Sequence, residues 1–372
     1  MPIVSSSGIS GWHAEARASG PGVVTGRYGT IGQVFYVQQD YWPLNTTLYV
    51  RDFKGNDPLF VSYLLRTIDF ESCSDKSSVP GVNRNHLHLI KVALPPLPEQ
   101  LGIAAILGAL DDKIELNRRM NQTLESMAQV LFTSWFVDFD PVRAKMDGRQ
   151  PVGMDAETAA LFPASFESTQ VGPVPSGWPV QPLTQVLEVN PTRPLRVGAA
   201  APYVNMANLP TSSSRVLNWI SRAYTSGMRF TNGDVLVARI TPCLENGKIA
   251  FVDSLPNGAI GWGSTEFIVL CSCPPLPLEY AYFIARTDAF RTHAIHNMTG
   301  SSGRQRVPVD CLHSFWMAVP PTPVAQRFGT IARSLLADMK ANDEEAASLA
   351  AIRDSLLPKL LMGDVLLAGA NR

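Results

Sequence analysis

The sequence predicts an α+β fold: two repeated α/β units joined by two long helices packed as an antiparallel coiled coil. Three observations predict it. Ordered motifs recur in both halves of the chain, a heptad run follows an equivalent Pro-Pro step in each half, and short strand-like runs punctuated by Gly and Pro fill the rest.

The repeat starts with GVVTGRYGTIGQVFYV from Gly22, which resembles GDVLVARITPCLENGKIAFV from Gly233. Each has an apolar strand, an Arg (Arg27, Arg239), a turn, a Gly (Gly32, Gly247) and a second strand. A Trp follows in each (Trp42, Trp262). Next come DPLFVSYLLRT from Asp57 and LPLEYAYFIART from Leu276, read as short helices with Pro near the start, where its missing N–H costs nothing. Last, NHLHLIKVALPPLPEQ from Asn85 matches DCLHSFWMAVPPTPVAQ from Asp310: Leu-His, an apolar strand-like run, Pro-Pro, and a Gln opening a long helix.

In the first long helix, Ile103, Leu107, Leu110, Ile114, Asn117, Asn121, Leu124, Ala128 and Leu131 recur at spacings of four and three, a heptad seam. In the second, Phe328, Ala332, Leu335, Met339, Asn342, Ala346, Leu349, Leu356 and Leu360 do the same, with Arg353 interrupting and Ile352 beside it. Each helix reads as about 60 Å long at 1.5 Å per residue, too long for one small core, so the two are expected to pack on each other. The resulting division is residues 1–97 for the first unit, 98–140 for its helix, 141–176 for a linker, 177–322 for the second unit and 323–365 for its helix. The linker contains Pro141, Gly148, Pro151 and Gly153, and GPVPSGWP from Gly172 leads into the second unit. That unit has a long opening, WPVQPLTQVLEV, before its Gly233 strand; the first offers only the residues before Gly22, so by the repeat its start reads as incomplete.

Composition excludes several classes. The 372 residues are 45% hydrophobic, which argues against wholesale disorder. No apolar run approaches the ~18 residues of a membrane helix, and the start lacks the features of a secretory signal. Five scattered cysteines fit a reducing cytoplasm better than a disulfide scaffold. Net charge is -1 overall, yet it is uneven: 8 basic against 7 acidic side chains in residues 1–97, 6 against 11 in 98–176, 11 against 8 in 177–322, and 6 against 6 beyond.

Several stretches resemble the specificity subunit of type I restriction–modification systems. They are LNRRMNQTLESMAQVLFTSWFVDFDPVRAKMDGR from Leu116, GPVPSGWPVQPLTQVLEV from Gly172 and IRDSLLPKLLMGDV from Ile352, with the PPLPEQ and PPTPVAQ helix openings. The resemblance implies two target-recognition domains, each reading half of a bipartite site on double-stranded DNA. It implies helices that hold the halves apart and dock modification (methyltransferase) subunits. A restriction subunit carries cleavage and translocation. S-adenosylmethionine, ATP and Mg belong to those partners, and none is expected on this chain.

Motifs for chemistry are missing. The nearest match to a methyltransferase Asn/Asp-Pro-Pro-aromatic loop is Asn190-Pro191-Thr192-Arg193, without the second Pro and the aromatic. There is no G-x-x-x-x-G-K-[ST] phosphate loop. Asp111-Asp112-Lys113 reads as a solvated charge cluster on the helix, not a nuclease motif. His86-x-His88 and His293-x-x-His296 lack the further ligands a metal needs, so no metal site is expected. Cys271-x-Cys273 reads as half-buried.

DNA contact needs Lys or Arg for phosphates and Arg, Lys, Asn, Gln, Ser or Thr for base edges. The best candidate is the small-residue loop Thr299 to Arg306, ending in Ser302, Arg304, Gln305 and Arg306. Its counterpart holds Lys76, Ser77, Asn83 and Arg84. Arg27 and Tyr28, and Arg239 and Lys248, flank the strand–turn–strand of each unit. The plainer reading of such loops is polar surface with no ligand; the family resemblance favours DNA. Docking and coiled-coil roles fall to Ile103, Leu107, Leu110, Ile114, Asn117, Asn121, Leu124, Leu131, Phe328, Leu335, Met339, Leu349, Leu356 and Leu360. The reading is a non-catalytic, cytoplasmic DNA-recognition subunit. Its rivals are a self-contained DNA-modifying enzyme, disfavoured by the missing motifs, and a coiled-coil adaptor without DNA affinity, which leaves the repeated units unexplained.

Overall fold

The computed structural model describes residues 1–74, 81–211, 213–301 and 303–363. Two compact units emerge, Met1–Asn117 with Glu344–Arg372, and Arg118–Asp343. Both units include part of each long helix, and these helices start at Leu97 and Thr322. The strands are β1 (Pro2–Ser5), β2 (Gly8–Trp12), β3 (Gly22–Gly26), β4 (Val34–Val37), β5 (Trp42–Pro43) and β6 (Thr47–Tyr49), followed by α1 (Pro58–Arg66), α2 (Arg84–Leu87) and α3 (Leu97–Phe136). Next come α4 (Asp140–Met146), α5 (Ala156–Ala160), β7 (Phe166–Thr169), β8 (Gly172–Pro175), β9 (Val180–Pro182), α6 (Leu183–Val186), β10 (Leu187–Val189), β11 (Ala200–Val204) and β12 (Ile220–Ala223). The chain continues through β13 (Met228–Phe230), β14 (Asp234–Ala238), β15 (Ile249–Phe251), β16 (Gly261–Gly263), β17 (Phe267–Ser272), α7 (Tyr280–Arg286), α8 (Asp288–His296), β18 (Trp316–Ala318) and α9 (Thr322–Met362).

In the first unit β3 runs antiparallel between β4 and β6, while β1 pairs with β2 antiparallel and with β5 in parallel. Helix α1 starts where Asp57 accepts a hydrogen bond from the Phe60 amide (2.7 Å), with Pro58 in the first turn. It buries Phe60 and Tyr63 against Ile103, Ala104 and Leu107 of α3 and Leu360 of α9. Gln100 fastens the two helix starts: its Nε2 donates to Asn56 Oδ1 (2.8 Å) and Pro95 O (2.9 Å), and its Oε1 accepts from the Asp57 amide (3.0 Å). Gln326, its sequence match, is exposed, because equal spacing from the Pro-Pro step puts Ala325 at that place.

Asp111 corrects the reading of a solvated cluster. It accepts from Tyr63 Oη (2.8 Å), Arg66 (3.0 Å) and Arg353 (2.6 Å). Although burial pushes its carboxyl up, these three donors hold it below the usual carboxylate range. Arg353 therefore takes a seam position in α9, and Ile352 turns to solvent.

The second unit contains two four-stranded sheets, β10-β17-β14-β15 and β12-β11-β16-β13. An aromatic cluster joins α3 to α9 and α7: Phe132 lies 5.4 Å from Phe328, 5.1 Å from Tyr280 and 5.9 Å from Phe283 between ring centroids. Within residues 141–176, Phe162 and Val174 belong to the same core as Phe132, with Trp178 beside them.

In each unit α3 and α9 pack antiparallel, with polar links between them. In the first unit Ile103, Leu107, Asn117 and Leu360 are buried, and Leu110, Ile114, Leu349 and Leu356 are half-buried. Asn117 donates to Glu345 (2.7 Å). In the second, Phe328 and Met339 are buried, and Leu124, Leu131 and Leu335 are half-buried. Asn121 donates to Asp343 (2.7 Å) and accepts from Asn342 (2.9 Å).

Asp155 supplies a pH prediction. It caps α5 by accepting from the Thr158 amide (2.7 Å) and hydroxyl (2.9 Å), and it pairs with Arg327 (2.9 Å). These bonds hold its carboxyl at about 2, below its ordinary value of 3.8. A depressed carboxyl contributes stability above the unfolded value, and the contribution is lost as pH falls towards the folded one. Wild type should therefore exceed Asp155→Asn in unfolding midpoint at pH 5. The difference should shrink between about 4 and about 2, and a constant difference across that range would refute the assignment.

The repeat is structural as well. Ile3 faces Trp42 and Tyr203 faces Trp262 across parallel pairs, so β1, β2 and β5 correspond to β11, β12 and β16. Likewise β3, β4 and β6 match β14, β15 and β17. Gly32 and Gly247 both take positive φ (81° and 72°) before the second strand, a conformation that favours Gly. This correspondence corrects where the first unit is shorter. Part of the difference lies within the unit, in the tight β1–β2 turn and in the short path from β2 to β3, which has no match for β13.

Candidate nucleic-acid interface

In the second unit the site is built at the end of β14. Thr299 and Arg306 exchange both backbone hydrogen bonds (2.9 and 2.8 Å) and so close a loop over residues 300–305. That loop is pinned to the strand end. The Val307 amide donates to Arg239 O (2.8 Å), Ile240 bridges Arg306, and the Thr241 amide donates to Gln305 O (3.0 Å). Arg239, Gln305 and Arg306 are thereby brought together, and Lys248 sits across the turn, where its carbonyl accepts from the Ala238 amide (3.0 Å).

The side chains differ in freedom. Arg304 is exposed at the loop, Gln305 is half-buried and Arg306 is exposed but paired with Glu266 (2.8 Å). Lys248 donates to Met206 O (2.8 Å). The Nε of Arg239 is enclosed and has no hydrogen-bond partner among the described residues. Arg286 and Arg291 add donors to Gly247 O (3.3 Å) and Glu245 O (3.1 Å) from α7 and α8. Sequence reasoning missed Glu266, Arg286 and Arg291, which no local motif ties to the turn.

The first unit repeats this closure. The Val82 amide donates to Arg27 O (2.9 Å), and Tyr28 bridges Gly81, as Val307 and Arg306 do with Arg239 and Ile240. Arg27 lies over the exposed Tyr28 ring (4.8 Å). Asn83 caps α2 by accepting from the Asn85 amide (3.0 Å), which occupies its oxygen, and Arg84 is exposed. Lys76, Ser77 and Ser302 lie outside the described residues.

The other candidates are structural. His293 bonds Cys311 O (2.9 Å) and packs on Phe315. Burial, with Asp234 close by, pushes the Cys271 thiol up to about 11, so it stays protonated and unreactive at neutral pH. Among the described residues no helix is long and apolar enough to cross a membrane.

Comparison with known proteins agrees with this architecture. The type I restriction modification DNA specificity domain matches residues 14–126. The HindI specificity subunit of Haemophilus influenzae is 23% identical over 341 residues, covering 78% of this chain and 72% of the relative. The MjaIX specificity subunit of Methanocaldococcus jannaschii is 21% identical over 340 residues, covering 87% and 73%. The crystal structure of the type I restriction–modification S subunit from M. genitalium superposes with a TM-score of 0.51 at 14% identity, over 96% of this chain and 88% of that one. The chain is thus similar to type I restriction–modification specificity subunits along most of its length, carries one matched specificity domain and shares the fold of a solved S subunit.

Proposed function

We infer that this chain is the non-catalytic DNA-recognition subunit of a type I restriction–modification complex, reading a bipartite target with one loop-and-turn site per unit. One observation carries the reading. Both units close a basic loop onto the end of the central strand through the same backbone bonds, at Arg27 and at Arg239. Two like sites on one chain suit a target in two halves. Arg304 and Arg84 stand out as exposed readers, with Arg27, Tyr28, Arg239, Lys248, Gln305 and Arg306 around them. Modification and restriction subunits supply S-adenosylmethionine, ATP and Mg chemistry in the cytoplasm, and the chain supplies sequence choice.

The test is to co-express the chain with its modification subunit and map methylated adenines. The expected pattern is two short specific half-sites with an unspecified gap. Methylation by the chain alone would favour a self-contained enzyme, and a methylation pattern unchanged when the chain is left out would overturn the recognition role.

A further inference from the structure

The turn that follows the central strand differs between the two units. Six residues separate Arg27 from β4 and nine separate Arg239 from β15, so the second unit carries three extra residues between equivalent strands. The pairing does not need them, because β3 and β4 form the same antiparallel pair without them. The extra length makes a helical turn. The Leu244, Asn246 and Lys248 amides donate to Ile240 O (3.1 Å), Pro242 O (2.9 Å) and Cys243 O (3.1 Å), and Gly247 ends it with positive φ (72°). Leu244 is fully buried and anchors the turn. Glu245 and Asn246 stand exposed at its tip, and among the described residues neither side chain has a hydrogen-bond or ion-pair partner.

Two arginines fasten this tip through its backbone. Arg291 of α8 donates to Glu245 O (3.1 Å), and Arg286 of α7 donates to Gly247 O (3.3 Å). Arg286 also pairs with Glu125 of α3 (3.1 Å), the carboxylate that accepts from the buried Tyr282 hydroxyl. Carbonyls at the end of a helical turn attract cations, and each such bond lowers the freedom of the residues that carry them. In the first unit Arg66 ends α1 as Arg286 ends α7, yet it bonds Asp111 (3.0 Å), and there is neither acid nor amide between Arg27 and Gly32. The longer turn opens beside the 300–305 loop, where the Thr241 amide donates to Gln305 O (3.0 Å). Its tip has the chemistry of base edges and not of phosphates. Phosphate repels a carboxylate such as Glu245, whereas a base amino group donates to it, and an Asn amide pairs with both N6 and N7 of adenine.

We propose that this turn is a second base-reading element of the second unit. Asn246 grips an adenine edge, and Arg286 and Arg291 are positioning residues that act through the carbonyls of the turn. The proposal rests on the DNA-recognition reading and adds to it a reader with no counterpart in the first unit.

The test uses the full chain with its modification subunit, by methylation mapping and by binding across a salt series. Asn246→Ala should relax one A·T position in the half-site of the second unit, different from the position that Arg304→Ala relaxes. It should weaken the cognate site about 5–150-fold, while unrelated DNA binds as before with the same salt slope. Arg291→Met should relax the same position. Hydrogen exchange at the Asn246, Gly247 and Lys248 amides should then speed on the order of tenfold, while the β14 amides keep their wild-type rates. Arg291→Lys, which still donates to a carbonyl, should restore both. An Asn246→Ala complex that keeps every base preference would overturn the reader, as would equal loss on all DNA or relaxation at a G·C pair. Faster exchange in β14 along with the turn would make Arg291 a support of the whole fold and overturn its positioning role. A wild-type complex whose pattern does not depend on the chain fails the recognition reading itself; a chain-dependent pattern that Asn246→Ala leaves whole sinks the turn alone.

Discussion

Replacing Arg215 by Ala is expected to cost the second unit about 3–5 kcal/mol, the usual loss when one member of a buried ion cluster is removed. The Arg215 side chain is 3% exposed. Its Nε and Nη2 grip both oxygens of Asp253 (2.7 Å each), and Nη1 reaches Asp343 (2.8 Å). Residues 214–216 are themselves bound to Phe251 of β15, so the guanidinium links sheet to helix. Truncation removes the guanidinium that bridges the Asp253 and Asp343 carboxylates. Burial already pushes the Asp343 carboxyl up, against the pull of Arg215. Without that pull it rises further. A raised acid contributes stability at low pH that is lost as pH climbs through the folded value. The deficit of Arg215→Ala should therefore be larger at pH 7 than at pH 4.5. Combining Arg215→Met with Asp253→Asn and Asp343→Asn should recover most of it. Denaturant titration at both pH values decides: a deficit under about 1 kcal/mol, or one that grows on acidification, would refute the buried-triad account.

The repeat was legible because it is written in residues with backbone consequences. Gly32 and Gly247 are demanded by positive φ, and the Pro-Pro steps fix where the helices begin. The heptads were legible because the seam needs apolar residues at fixed intervals. Roles set by distant partners were not. Asp111 looks like helix surface until Tyr63 and Arg353, 48 and 242 residues away, are seen to hold it. Glu266, 40 residues from Arg306, is likewise invisible in the loop it restrains. Residues 141–176 read as linker because turn residues dominate locally, and the few aromatics that bury them act at long range. At the candidate interface, composition located the loop, but only geometry separated a restrained arginine from an exposed one.

That separation gives the second large effect. Arg304→Ala should relax one base position in the half-site read by the second unit and weaken complex binding there by about 1–3 kcal/mol, about 5–150-fold. Arg304 is exposed, and its backbone is set by the Arg304 amide bonding Ser301 O (3.0 Å) within a loop closed at Thr299 and Arg306. A guanidinium on a fixed loop loses less freedom on gripping a guanine edge than one on a loose tail. Arg306 starts from a different state. It must leave Glu266 or share it, so Arg306→Ala removes a cation whose charge is already matched and should cost less. Glu266→Gln frees Arg306 and should tighten binding to all sequences, with a steeper salt dependence, since one more cation then reaches phosphate. Methylation mapping with the modification subunit, alongside binding across a salt series, separates these outcomes. An Arg304→Ala complex that keeps every base preference and loses affinity equally on all DNA, with a salt slope reduced by about 0.9, would make Arg304 a phosphate contact and not a reader. Unchanged affinity and unchanged pattern would remove the loop from the interface altogether.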